Sequence, residues 1–219
     1  MRHHLAGLLA LGCVVCLPVG GLSQVVFNEV YYDADNAWAD NANEWVELYN
    51  AGGSTVDLGG LIFTDHPDTT WEGYYLIPGG TMLGPGEFLI LCRDADSLNS
   101  HWSIPPAVTV LAWGDAPTTT YLMLHNDGED IHLLDGETDV AVMWYGDGGD
   151  LGPTNAAPDV TAGHSLGLYP DGSSTGVPSD DYYDYADPTP GEPNEAIVPV
   201  SSTTWGKLKA MYSVPKGQQ

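Results

Sequence analysis

The chain has 219 residues and carries 30 acidic side chains against five Lys and Arg, for a formal net charge of −25. That length suits one good-sized domain or a domain with appendages. The charge repels phosphate backbones and excludes nucleic acid as a partner, while favouring solubility, tolerance of high salt and attraction of divalent cations.

The first element is the opening "MRHHLAGLLALGCVVCLPVGGLSQ". A short basic start, an apolar run from Leu5 to Leu17 and small residues at Gly21 and Ser23 predict a secretory signal peptide over residues 1–23, cleaved before Gln24. The run is too short for a membrane span of ~20 residues, so no transmembrane segment is expected. A lipoprotein signal ending at Cys13 is the rival reading; it would leave an apolar new terminus. Export fits the cysteines, because loss of Cys13 and Cys16 leaves Cys92 alone, with no intrachain disulfide. In "EFLILCR", Cys92 reads as a small buried thiol.

Short runs rich in Val, Ile, Leu, Tyr and Trp then follow, punctuated by Gly, Pro, Asp and Asn, with almost no helical periodicity before residue 200. Strands are predicted at Val25–Tyr32, Glu44–Asn50, Leu61–Thr64, Tyr74–Ile77, Glu87–Cys92, Val108–Trp113, Tyr121–His125, Asp130–Leu134, Val140–Tyr145 and Ser165–Tyr169. Asp127-Gly128 and Asp135-Gly136 supply turns for a three-strand meander, and Pro85-Gly86 another turn. Together these predict an all-β, immunoglobulin-like antiparallel β-sandwich over residues 24–194. Its long loops fall at Asp65–Gly73, Asp94–Pro106 and Gly146–Gly163, where function would concentrate. Residues 195–202 read as a linker. In residues 203–219, "TTWGKLKAMY" predicts a short C-terminal helix capped by Thr204, with Trp205, Leu208 and Met211 or Tyr212 along one face. Lys207, Lys209 and Lys216 concentrate basic charge there.

The succession "VVFNEVYYD", "NEWVELYN", "VDLGGLIFTD", "YLIPGGTMLGPGEFLIL", "LHNDGEDIHLLDGETDVAVMWYG" and "PTPGEPN" resembles bacterial lamin-tail domains, exported prokaryotic relatives of the globular tail of nuclear lamins. The resemblance runs from about Val25 to Asn194. It implies an immunoglobulin-like sandwich that serves as an accessory module on secreted or surface proteins, sometimes beside hydrolases. No catalytic residues are attributed to that module, so none carry over. The chain departs from it in its longer loops. Its tail resembles C-terminal tags on other exported bacterial proteins, which implies sorting or anchoring; a helix that caps the sandwich is the alternative.

The acids are the first candidates for chemistry. Glu44 and Glu47 are three apart in "NEWVELYN", so on a strand they face opposite sides with Cα atoms ~10 Å apart. A carboxylate pair acting on one bond must converge to ~5–9 Å. The pair is therefore read as non-catalytic, each acid projecting by itself.

The loop "DADNAWADNANE" offers hard oxygen donors suited to calcium. Asp33, Asp35, Asp40 and Glu44 are the candidate Ca²⁺ ligands. Asp33, Asp35 and Glu44 match the first, third and twelfth positions of an EF-hand, but Ala37 takes the fifth and Trp38 the glycine position, which excludes a true EF-hand. "GDGGD" (Gly146–Asp150) is a second acidic turn, and "DDYYDYADP" reads as cover for an edge strand.

His125 and His132 are expected near each other on paired strands, without a cysteine or third ligand spacing for zinc. Ser165 lies outside any G-x-S-x-G elbow. Trp38, Trp71, Trp102 and Trp113, in or beside loops, either stack on sugar rings or bury. The expected function is a non-catalytic exported module that binds or tethers a protein or glycan at the cell surface, and the alternative is a calcium-dependent carbohydrate-binding accessory module.

Overall fold

A computed structural model describes residues 24–35, 37, 38, 40–66, 73–114, 116, 118 and 122–196. The expected signal peptide (1–23) and C-terminal helix (203–219) lie outside the described residues.

In chain order the elements are β1 (Val25–Tyr31), α1 (Asp40–Asn43), β2 (Trp45–Asn50), β3 (Val56–Asp57), β4 (Ile62–Thr64), β5 (Tyr74–Leu76), β6 (Met82–Leu83), β7 (Phe88–Cys92) and α2 (Ala95–His101). They continue with β8 (Thr109–Ala112), β9 (Gly128–Asp135), β10 (Thr138–Gly146), β11 (Ser165–Leu168), α3 (Pro178–Asp181) and β12 (Tyr182–Tyr185). A six-stranded sheet, ordered β12-β11-β1-β2-β7-β8, packs on a four-stranded sheet, ordered β10-β9-β4-β5, and β3 pairs with β6 beside them. The fold is an immunoglobulin-like all-β sandwich.

Period-two alternation divides each strand between two environments. Phe27, Val30, Val46, Leu48, Leu89, Leu91, Leu166 and Leu168 face the inter-sheet core, where Phe63, Ile131, Leu133, Met143 and Tyr145 meet them. Full burial of each large apolar side chain stabilises the fold by roughly 1.5–3 kcal/mol. The opposite face of the six-stranded sheet is also covered. At its β7 end, Tyr31, Trp45, Ile90 and Cys92 form a second apolar cluster beneath Leu98 of α2. At its β11 end the cover is polar, and the candidate site lies there.

Several expectations are corrected. Residues 122–125 form no strand, so the meander reduces to the hairpin β9–β10, which turns through Gly136 at φ +63°. Leu122 and Leu124 are buried there, but carboxylates rather than a neighbouring strand take up the backbone. Met123 N donates to Asp65 Oδ2 at 3.0 Å and Leu124 N to Glu44 Oε2 at 3.2 Å.

The stretch 94–106 is not simply a loop. Asp94 caps α2, accepting from Ser97 N at 2.8 Å, a local N-cap signal that overrides the weak periodicity of seven residues. The strand after it, β8, runs parallel to β7, so the sheet is not wholly antiparallel. "DDYYDYADP" does not cover an edge strand. It closes α3 and forms the edge strand β12 itself.

Candidate site: a buried carboxylate pair beneath the terminal turn

Three of the sequence blocks meet on the outer face of the six-stranded sheet. In β1 the register with β2 shifts between Phe27 and Glu29, a β-bulge at Asn28. The extra residue turns both Asn28 and Glu29 to the outer face while Phe27 and Val30 stay in the core. Across the ladder Glu29 stands opposite Glu47 of β2. Both carboxylates have no solvent exposure.

What covers them is the segment Asp187–Asn194, "DPTPGEPN". Thr189 N donates to Glu29 Oε1 at 3.0 Å and Thr189 Oγ1 to Glu29 Oε2 at 3.1 Å. Gly191 N donates to Glu47 Oε2 at 2.6 Å. From within the sheet, Ser165 Oγ donates to Glu29 Oε1 at 2.5 Å and Asn28 Nδ2 to Glu47 Oε1 at 2.9 Å. Asn194 completes the closure, its Nδ2 donating to Leu168 O at 2.9 Å and Asn28 O at 3.3 Å. Asp171 accepts from Asn28 Nδ2 and from Asn194 N, both at 3.1 Å. A Cβ on Gly167 would lie 2.9 Å from Asn194 Nδ2, so only glycine in β11 lets that amide reach the sheet backbone.

Burial pushes the Glu29 carboxyl up to about 7, against the hydrogen bonds from Ser165 and Thr189 that favour its charge. Burial also holds Glu47 well above the carboxylate range, and the neighbouring charge of Glu29 adds to the effect. Two carboxylates side by side in a dry environment disfavour double ionisation. Raised carboxyl groups in an open cleft suit general acid chemistry. Here the donors all come from the chain itself and no solvent-exposed face remains, so the arrangement acts as a latch on the terminal turn.

The expectation that each acid projects alone is thereby corrected. Glu44 and Glu47 do diverge, Glu44 binding Leu124 N and Glu47 binding Gly191 N. The acid that Glu47 meets is Glu29, in another block. Sequence reasoning missed it because parity within one strand is silent about the partner strand. The available signal was a Glu in each of "FNEV" and "WVEL", two apolar strand runs that read as neighbours.

The candidate calcium ligands are placed as follows. Asp33 Oδ1 accepts from Asn126 Nδ2 at 3.2 Å, and Asp35 Oδ1 accepts from Ala37 N at 2.8 Å. Glu44 is buried on Leu124 N, and the side chain of Asp40 lies outside the described residues. Among the described residues no group of three or more His, Cys, Asp or Glu is placed to hold a metal ion.

His125 and His132 do not come together. His125 is exposed and precedes β9, whereas His132 is buried between Asp139, at 2.7 Å from Nδ1, and Asp130, at 3.0 Å from Nε2. Burial works to lower His132, but its bonds to Asp130 and Asp139 prevail and raise it. Ser165 is spent on Glu29. Cys92 is buried, and burial pushes its thiol up to about 12.

Of the tryptophans, Trp113 is fully buried and Trp71 lies outside the described residues. Trp38 stacks on His101 at 3.6 Å, and Trp102 packs edge-on against Trp45 at 5.9 Å. No helix among the described residues is long and apolar enough to cross a membrane.

No curated protein matches the chain. Among solved structures, a DUF4876 family protein from Bacteroides thetaiotaomicron aligns at 13% identity and a TM-score of 0.42, covering 82% of this chain and 72% of that one. The family model of the lamin tail domain matches residues 19–148, which span β1 to β10. By that match the chain belongs to the lamin tail domain family, a non-catalytic immunoglobulin-like family.

Proposed function

We propose that the chain is a non-catalytic interaction module that acts outside the producing cell, binding or tethering a protein or glycan at the cell surface. The observation that carries the reading is the disposition of Glu29 and Glu47. The chain's most protected acids are consumed in holding its own terminal turn, which makes them part of a scaffold for surface loops. The leader-like start and the strongly acidic composition support a life outside the cytoplasm.

Fractionation of cells that make the full chain tests the reading, together with saturable binding of purified protein to isolated envelopes. Recovery in the medium or at the surface, with binding competed by unlabelled chain, is expected. Retention in the cytoplasm, or no saturable envelope binding, overturns it.

A further inference from the structure

The six-stranded sheet ends in β12, which pairs with β11 on one side and with no strand on the other among the described residues. An unpaired strand edge exposes backbone donors and acceptors that favour the pairing or packing of another segment. Beside it lies a cavity of about 400 Å³, lined by Asp184, Tyr185, Asp187, Thr189, Glu195 and Ala196. Asp184, Asp187 and Glu195 of that lining are exposed, Glu192 is exposed on the terminal turn, and Tyr183 of β12 is 42% exposed. Tyr185 Oη donates to Glu195 O at 2.9 Å, which fixes where the chain leaves the described residues. The last described residue, Ala196, therefore lies at the cavity wall.

The occupant follows from what comes next in the chain. Residues 197–202 can span about 20 Å when extended, at ~3.3–3.6 Å each, enough to return over β12. Beyond them lie Lys207, Lys209 and Lys216, three of the five Lys and Arg in the sequence, interleaved with Trp205, Leu208, Met211 and Tyr212. A basic, apolar segment is thus tethered next to an acidic cavity with an open strand edge, at the high effective concentration that a short linker gives. We propose that the outer edge of β12 and the cavity beside it are the docking site of the chain's own C-terminal segment, Thr203–Gln219. The positive charge of Lys207, Lys209 and Lys216 complements the negative charge of Asp187, Glu192 and Glu195.

Hydrogen exchange and zero-length carbodiimide cross-linking of the full chain test it. Amides of Tyr182–Tyr185 are expected to exchange at least ~10-fold faster in a Lys207→Glu/Lys209→Glu variant, while those of β9 are unchanged and report an intact fold. Adding Asp187→Lys and Glu195→Lys to that variant restores the protection. Cross-links should join Lys207 or Lys209 to Asp187, Glu192 or Glu195, and in a mixture of isotopically labelled and unlabelled chains they should stay within one chain. Equal β12 exchange in all variants overturns the proposal. So do cross-links that form only between chains, which would make a second copy the occupant.

Discussion

Glu29 and Glu47 stand opposite each other on adjacent antiparallel strands, and each accepts a backbone N–H from the same terminal turn, Thr189 for Glu29 and Gly191 for Glu47. The turn closes only because both carboxyls lie on the outer face of the sheet. They lie there only because a bulge at Asn28 shifts the parity of β1. Protonation, sterics and hydrogen bonding at this locus are therefore coupled to the last part of the fold.

The coupling sets a pH dependence. Glu29 folded holds its proton to about 7, against an ordinary value of 4.5, and Glu47 is raised in the same direction. The folded state binds more protons than the unfolded one in this range. The stabilising contribution is complete below about 4.5 and is lost as pH rises through about 7. His132, also raised, loses its contribution as pH climbs above its ordinary value of 6.5. The urea midpoint is expected to fall steadily from pH 4.5 to 8. In Glu29→Gln, whose amide imitates the protonated acid, the slope between 4.5 and 7 should flatten.

Removal of Glu47 tests the latch directly. Glu47→Ala strands the Gly191 N–H and the Asn28 amide in a buried space, at about 1–3 kcal/mol for each unsatisfied group. A loss of about 2–5 kcal/mol in urea unfolding is expected, with faster hydrogen exchange across residues 187–194. A loss under ~0.5 kcal/mol would mean that the turn is held by other contacts.

Gly167→Ala probes the same closure without touching a charge. The added Cβ would meet Asn194 Nδ2 and the Tyr185 ring, each at 2.9 Å, and both side chains are buried. Overpacking of this kind costs roughly 1–3 kcal/mol. Proteolysis within residues 187–196 should quicken, whereas Gly53→Ala, with open space around it, should leave cleavage unchanged.

Calcium has a specific expectation. Asp33, Asp35 and Glu44 each accept a hydrogen bond, from Asn126, Ala37 and Leu124, so an ion would compete with those donors. Melting in millimolar Ca²⁺ is expected to match melting in chelator, because any ligand selective for the folded state must raise its stability. A rise in Tm that is lost in Asp35→Asn would place an ion in this loop and bring the calcium-dependent carbohydrate-binding reading forward.

Cys92 offers a simple check on packing. It is 1% exposed, and burial raises its thiol to about 12, so at pH 8 it is neither ionised nor accessible. A thiol reagent should label it only as fast as the protein opens, and labelling should become immediate in denaturing urea.

Much of the strand layout was legible because it is local. Alternating apolar runs ended at glycines and prolines, and nine of these runs, such as Phe88–Cys92 and Thr109–Ala112, became strands within a residue or two of their predicted bounds. The missed elements are short or depend on distant partners. Met82–Leu83 is a strand only because Val56–Asp57 lies beside it. Residues 122–125 carry a strand pattern, but two carboxylates from elsewhere in the chain take their N–H groups.

The order of residues alone determined the all-β character, the acidic surface and the family, because turn chemistry, two-residue periodicity and block succession are written along the chain. Only the tertiary structure decided what the acids do. Which face Glu29 occupies depends on a bulge, and its neighbour depends on inter-strand register. Its protonation depends on a turn that returns from 160 residues away. Such relations arise between segments, so no single segment contains them.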